Sequence, residues 1–80
     1  MNPQEIKSLI LNSIKNSEVE VHSEDNVHFE ATIISDSFNQ KSLLERHKMI
    51  YASLGDKMSQ EIHALTINTF TPDEHEINST

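Results

Sequence analysis

The hydrophobic positions at the start of this chain follow the spacing of a helix. Asn2, Pro3 and Glu5 form an N-cap, a proline at the first helical position and a capping-box acid. The apolar residues that follow are three and four positions apart, which places them on one helical stripe. They are Ile6, Leu9, Ile10 and Ile14. We therefore predict a first helix that runs to about Lys15 or Asn16 and buries this stripe.

From Glu18 the apolar spacing drops to two, the period of a strand with one buried face. Val19 and Val21 alternate with polar residues, and after the polar segment 23–26 the alternation resumes. The apolar set of this second run is Val27, Phe29, Ala31 and Ile33. Because the polar segment has the length of a hairpin loop, we predict an antiparallel pair of strands.

The helical period returns after residue 37. Ser42 and Glu45 form a second capping box, and Gly55, the only glycine, is a natural left-handed cap. These signals predict a second helix from Ser42 to Leu54, with Leu43, His47, Ile50 and Leu54 on one stripe. A short turn over 56–61, a third strand over 62–70 and a short final helix from Thr71-Pro72-Asp73-Glu74 complete the chain.

The predicted order is α-β-β-α-(α)-β-α, an α+β fold with a three-stranded sheet and helices packed on one face. We expect residues 1–80 to form a single domain. The order is that of type II KH domains, whose RNA site is a GxxG loop. The corresponding segment here, Phe38-Asn39-Gln40-Lys41, has no glycine. We therefore predict a KH-like fold without the RNA-binding function of KH domains.

Composition narrows the chemistry. The chain of 80 residues has no cysteine, so it has neither a disulfide nor a thiolate, and any metal must be held by histidine or carboxylate. No apolar run approaches the length of a membrane span, and the N-terminus is polar and acidic, unlike a signal peptide. No arrangement of nucleophile, base and acid can be ordered along the sequence. We expect a cytoplasmic protein that is not an enzyme and does not enter membranes.

The net charge of −7 disfavours nucleic acid as a general partner, because a phosphate-binding surface carries a basic excess. A local basic patch is the alternative. Four of the six cations lie within 41–57, namely Lys41, Arg46, Lys48 and Lys57. Glu45 and Asp56 interleave with them, so a solvated helix face of mixed charge is the simpler interpretation.

The five histidines fall into three groups, of which His22 and His75, in polar surroundings, read as surface residues. His47 lies in the apolar stripe of the second helix, which indicates a buried or half-buried side chain bonded to a carbonyl or to Tyr51. His28 and His63 begin the second and third strands. Each alone reads as a surface histidine, and two histidines are too few for a tetrahedral metal site within one chain. A metal held by them would need further ligands from a partner.

The region from His28 to Pro72 resembles the BolA family. The matching segments are His28-Phe29, Ser35-Asp36-Ser37-Phe38, the run from Leu44 to Leu54 that contains Arg46-His47, the run Ile62-His63-Ala64-Leu65-Thr66-Ile67, and Thr69-Phe70-Thr71-Pro72. One departure is Gln40, where many members have glycine, so the turn before the second helix is expected to differ in shape.

The resemblance implies a function and its ligands. Members of the family pair with monothiol glutaredoxins around an iron–sulfur cluster, and the implied ligands here are His63 and, as in the histidine-loop type, His28. The expected cofactor is a [2Fe–2S] cluster shared with a glutaredoxin and glutathione, with none in the isolated chain, which alone would be a monomer or weak homodimer. A role in iron–sulfur or iron homeostasis and stress response follows. The family's description as transcription regulators keeps DNA binding through the helix-turn-helix-like segment 38–57 as the alternative.

Overall fold

The computed structural model describes residues 1–60, 62 and 64–78. The elements are α1 (Pro3–Ser13), β1 (Ser17–His22), β2 (His28–Ser35), α2 (Leu43–Leu54), α3 (Lys57–Gln60), β3 (Ala64–Phe70) and α4 (Pro72–Asn78), with a 3-10 turn at Asp36–Phe38. The predicted α+β order is confirmed, and α3 is the short additional turn expected between the second helix and the third strand.

The three strands form one sheet in the order β1-β2-β3, so β2 is central. β1 and β2 are antiparallel, with Ser17 opposite Ser35 and His22 opposite Glu30. β2 and β3 are parallel, with His28 opposite Ala64 at their start. A parallel pair needs a long crossover, which α2 and α3 supply.

The core lies between α1, α2 and one face of the sheet. Its buried apolar residues are Ile6, Ile10, Ile14, Val19, Phe29, Ala31, Ile33, Phe38, Ile50, Leu54 and Ile62. Strand residues of the opposite parity, among them Glu18, Glu20, His22, Glu30 and Thr66, are exposed. One face of the sheet is therefore covered by helices, and we call the other the outer face.

The predicted N-caps are present at the start of both long helices, α1 and α2. The Asn2 side chain accepts the Glu5 N–H at 3.0 Å. Ser42 Oγ accepts the Glu45 N–H at 3.1 Å, and Glu45 Oε1 accepts the Ser42 N–H at 3.0 Å. α1 ends two to three residues earlier than predicted, because Ile14 is already extended and Asn16 turns the chain with a φ of 53°.

Two expectations about the buried faces are wrong. The core side of α2 is formed by Arg46, Ile50 and Leu54, whereas Leu43 is 63% exposed. Arg46, Ile50 and Leu54 are four positions apart, so Arg46 faces the core at the start of α2, where the sequence suggested Leu43. Val27 lies in the hairpin loop and is exposed rather than buried with Phe29.

No helix within the described ranges combines the length and the apolar character needed to cross a bilayer.

Candidate functional site

His28 lies at the loop end of the outer face. It is the first residue of β2, directly opposite Ala64, the first residue of β3. Its side chain is 73% exposed, as the alternation of the strand predicts. The other expected ligand, His63, lies outside the described residues, and in the chain it immediately precedes Ala64. The structure therefore describes one expected ligand and the chain neighbour of the other.

The His28 ring is held by the hairpin loop that precedes it. Its Nδ1 atom lies 2.9 Å from Oδ2 of Asp25. The other carboxylate oxygen, Oδ1, accepts the backbone N–H groups of Val27 and His28, both at 2.9 Å. The hydrogen bond from the His28 side chain, followed by those from the two backbone amides, lowers the pKa of Asp25 far below its usual range. Asp25 is therefore an ionised acceptor at neutral pH.

An open depression of about 370 Å³ lies between this loop and the outer face of the sheet. His22, His28, Glu30 and Thr66 are among the residues that line it. No three His, Asp or Glu side chains converge to hold a metal ion within the described part of the chain. A metal bound here by His28 therefore needs ligands from outside the described residues.

The arrangement of His28 fits ligation to a metal that a partner carries. In metal sites, the histidine nitrogen that does not bind the metal commonly donates its N–H to a carboxylate, which orients the ring. In His28 the Nδ1 atom is held by Asp25, and Nε2 makes no hydrogen bond to any described residue. Because the side chain is exposed, a partner protein has access to Nε2.

Arg46, one of the four cations of the alternative DNA site, is turned into the molecule. Its guanidinium hydrogen-bonds both carboxylate oxygens of Glu74 in α4, at 2.6 and 3.0 Å. Its Nε donates to the carbonyl of Lys41 at 3.0 Å, and its Cζ lies 5.7 Å from the centroid of the Phe38 ring. The charge is therefore neutralised inside the protein, and Arg46 joins α2 to α4 instead of presenting a cation to phosphate.

The remaining cations of that set, Lys41, Lys48 and Lys57, are exposed. Glu45 lies close enough to Lys41 and Lys48 to interact with both. The pKa of Glu45 is lowered, first by the hydrogen bonds from Ser42 and then by these two lysines. The surface around Lys41 and Lys48 is thus of mixed charge.

His47 is half-buried, as its place on the helix suggested. The expected partner is not found: its Nε2 atom is buried and has no hydrogen-bond partner among the described residues. Burying a polar atom without a partner costs free energy. His47 lies on α2, which packs on the covered face of the sheet, and its buried Nε2 is not accessible to a partner.

Two important residues were not identified from the sequence. The sequence indicates Asp25 only as part of the polar segment 23–26, although an aspartate in a turn commonly accepts the backbone N–H two residues on, as Asp25 does from Val27. The sequence indicates Glu74 only as an acid of the segment Thr71-Pro72-Asp73-Glu74, which begins the final helix. Glu74 caps α4, since its Oε1 accepts the Thr71 N–H at 2.9 Å, but its bond to Arg46 spans 28 positions and leaves no local signal.

Comparison with known sequences supports a family assignment. The model of the family described as BolA-like protein matches residues 4–74. The Escherichia coli K12 protein named DNA-binding transcriptional regulator BolA is 41% identical over 49 residues, which is 61% of this chain and 47% of that protein. SufE-like protein 1 of Arabidopsis thaliana, chloroplastic/mitochondrial, is 47% identical over 47 residues, 59% of this chain and 13% of that protein. The matched segment thus spans about half or less of these two relatives.

Solved structures give the same result for the fold. A BolA protein homologue from Coxiella burnetii superimposes with a TM-score of 0.84 at 36% identity, covering 95% of this chain and 97% of that one. The BolA domain of SufE1 from Arabidopsis thaliana superimposes with a TM-score of 0.79 at 32% identity, covering 90% and 93%. The fold of the described residues is shared over nearly its whole length.

Proposed function

The chain belongs to the BolA family, and from that premise we propose that it is an adaptor that pairs with a monothiol glutaredoxin to share or transfer a [2Fe–2S] cluster. The observation that carries the proposal is the exposed His28, whose Nδ1 is held by Asp25 and whose Nε2 remains available at the loop end of the outer face. A role in iron–sulfur or iron homeostasis and in stress response follows from this activity.

The chain contributes ligands and not a catalytic group. His28 and His63 would bind iron through neutral imidazole, while the glutaredoxin and glutathione supply thiolates on the other side. A cluster with imidazole in place of thiolate has a higher reduction potential, which changes its stability and its transfer to recipients. His28 can act in this way without a conformational change of its own, because the loop already orients the ring.

The test is a titration of this chain into a monothiol glutaredoxin loaded with a [2Fe–2S] cluster and glutathione, followed by visible circular dichroism. We expect a changed cluster spectrum that saturates at one chain per cluster. His28→Ala and His63→Ala should each abolish or strongly weaken the change, while His28→Cys should keep a cluster with a shifted spectrum. A wild-type mixture whose spectrum equals that of the glutaredoxin alone would refute the proposal.

DNA binding is the second candidate, favoured by the name of the Escherichia coli relative and by the exposed Lys41, Lys48 and Lys57. Arg46 weighs against it, because its charge is paired with Glu74 inside the protein. Each phosphate contact contributes about −0.9 to the slope of log affinity against log salt, so three lysines predict a slope of about −3 on duplex DNA. A measured slope of that size, with no response to a loaded glutaredoxin, would favour this candidate over the adaptor.

A further inference from the structure

We propose that Asp25 is a positioning residue for the His28 ligand: it keeps the proton of the neutral imidazole on Nδ1 and so makes Nε2 the nitrogen that binds iron. The inference rests on the proposed function, since it concerns the same ligand. Its structural part, the position of the proton, is a property of the isolated chain and is measured without a glutaredoxin.

The contact between the two side chains determines the position of the proton. An ionised carboxylate only accepts hydrogen bonds, and a neutral imidazole has one donor nitrogen and one acceptor nitrogen. The 2.9 Å contact between Nδ1 of His28 and Oδ2 of Asp25 therefore requires the hydrogen on Nδ1. The lone pair of the neutral ring is then on Nε2, as a metal ligand needs.

The carboxylate is itself fixed by the loop. Asp25 Oδ1 accepts two backbone N–H groups, so rotation of the side chain would leave both without a partner. Ser23 fixes the same loop, because its Oγ donates to the His28 carbonyl at 2.6 Å and accepts the Asn26 N–H at 2.9 Å. The loop therefore positions Asp25, and Asp25 orients the ring of His28.

His22 and Glu24 form a neighbouring histidine–carboxylate pair that lacks a hydrogen bond of this kind. His22 is 72% exposed, nearly the same as His28, and its Nε2 lies 4.0 Å from Glu24 Oε1. That separation is too long for a hydrogen bond. Glu24 therefore fixes neither the orientation nor the tautomer of His22, and Glu24→Gln is a matched control for the loss of one negative charge from the loop.

The decisive variant is Asp25→Asn. Its amide oxygen can still accept the N–H groups of Val27 and His28, while its NH₂ takes the place of Oδ2 and donates to Nδ1. The loop is preserved and the hydrogen bond to the ring is reversed. We expect imidazole ¹⁵N NMR of the isolated chain, with His28 neutral, to show the proton on Nδ1 in the wild type and in Glu24→Gln, and on Nε2 in Asp25→Asn.

The same three proteins are then titrated into the [2Fe–2S]-loaded monothiol glutaredoxin. We expect Asp25→Asn to weaken the complex by roughly 10- to 100-fold, the usual effect of losing a partner of a metal-bound histidine, and Glu24→Gln to leave it unchanged. Backbone amide spectra of the isolated variants check that the loop is retained.

The outcomes separate the inference from the function. A wild-type His28 protonated on Nε2, or an Asp25→Asn variant that binds like the wild type, would overturn the positioning role while the adaptor function stands. Weaker binding by Asp25→Asn without a change of tautomer would also overturn it, since the aspartate would then only build the loop. A wild-type mixture with an unchanged cluster spectrum would overturn the function and the inference together.

Discussion

Two carboxylates at opposite ends of β3 each hold a nitrogen-containing side chain, and they do so for different purposes. Arg46 and Glu74 join α2 to α4 across 28 positions, and the arginine side chain is 11% exposed. Asp25 and His28 are three residues apart in one loop, and the histidine side chain is 73% exposed. The first pair ties distant segments together, whereas the second orients a single ring at the surface.

The two pairs differ mainly in burial, since the arginine side chain is buried and the histidine side chain is exposed. Arg46 donates three hydrogen bonds of 3.0 Å or less, makes a longer one of 3.5 Å to the Thr69 carbonyl and packs against Phe38, so most of its guanidinium is used within the protein. His28 uses one nitrogen on Asp25 and keeps the other exposed. The buried Arg46 pair therefore stabilises the fold, whereas the exposed His28 pair leaves one ring nitrogen accessible.

The largest effect on stability is expected from Arg46→Ala. The variant loses the bonds to Glu74 and to the Lys41 carbonyl together with the packing on Phe38, so the free energy of unfolding should fall by about 2–4 kcal/mol in chemical denaturation. Lys48→Ala removes an exposed cation from the same helix and should change stability by less than about 0.5 kcal/mol. If Arg46→Ala and Lys48→Ala lowered the free energy of unfolding equally, Arg46 would not have the structural role assigned to it.

Acid provides the second way to test this pair. Arg46, followed by the Thr71 N–H, lowers the pKa of Glu74 from 4.5 to about 2. The folded state therefore favours the ionised form, and its contribution to stability is complete above about pH 4.5 and is lost as the pH falls toward 2. We expect Glu74→Gln to be less stable than the wild type at neutral pH, with the difference shrinking across this window.

Thermal or urea unfolding of both proteins between pH 2 and 7 measures that difference. The gap between the wild type and Arg46→Ala should shrink over the same pH range, because Glu74 has then lost the group that contributes most to lowering its pKa, but a remainder from the lost Lys41 bond and Phe38 packing should persist. A gap between the wild type and Glu74→Gln that is constant with pH would contradict the assignment.

The smallest effect concerns the turn that brings the Lys41 carbonyl to Arg46. Gln40 has a φ of 63°, in the left-handed region, so this turn adopts with glutamine the backbone conformation that glycine favours. Gln40→Gly should therefore raise the free energy of unfolding by about 0.5–1 kcal/mol. Asn39→Gly, at a φ of −56°, has no strain to relieve and should not stabilise. A Gln40→Gly variant no more stable than the wild type would show that the turn is unstrained.

The parts of the fold that were predictable from the sequence depend on neighbours in the chain. The Asn2 and Ser42 caps, the strand alternation around Phe29 and the exposure of His28 follow from spacings of two to four residues, and the structure confirms them. Arg46 could not be placed in the same way. An arginine is buried only when it is paired, and its partner lies on an element that the local pattern does not connect to it.

The candidate site shows the same limit at smaller scale. His28 was identified through the family resemblance, and its exposure through the strand pattern. The contact with Asp25 depends on how residues 23–27 fold back on themselves, with Asp25 Oδ1 bound by two backbone amides and Ser23 bound to the His28 carbonyl. The conformation of this loop is determined by its hydrogen bonds. The hydrophobic pattern, which predicted the helices and strands, contains no information about these bonds.

The central claim, that histidine nitrogens of this chain bind a cluster carried by a glutaredoxin, has one direct test. The chain is labelled with ¹⁵N-histidine, mixed with an unlabelled monothiol glutaredoxin that carries the [2Fe–2S] cluster, and reduced for pulsed electron paramagnetic resonance. We predict strong hyperfine couplings from two ¹⁵N-imidazole nitrogens, one of which disappears in His28→Ala and the other in His63→Ala. A reduced cluster with no coupling to ¹⁵N in the wild-type mixture would contradict the account.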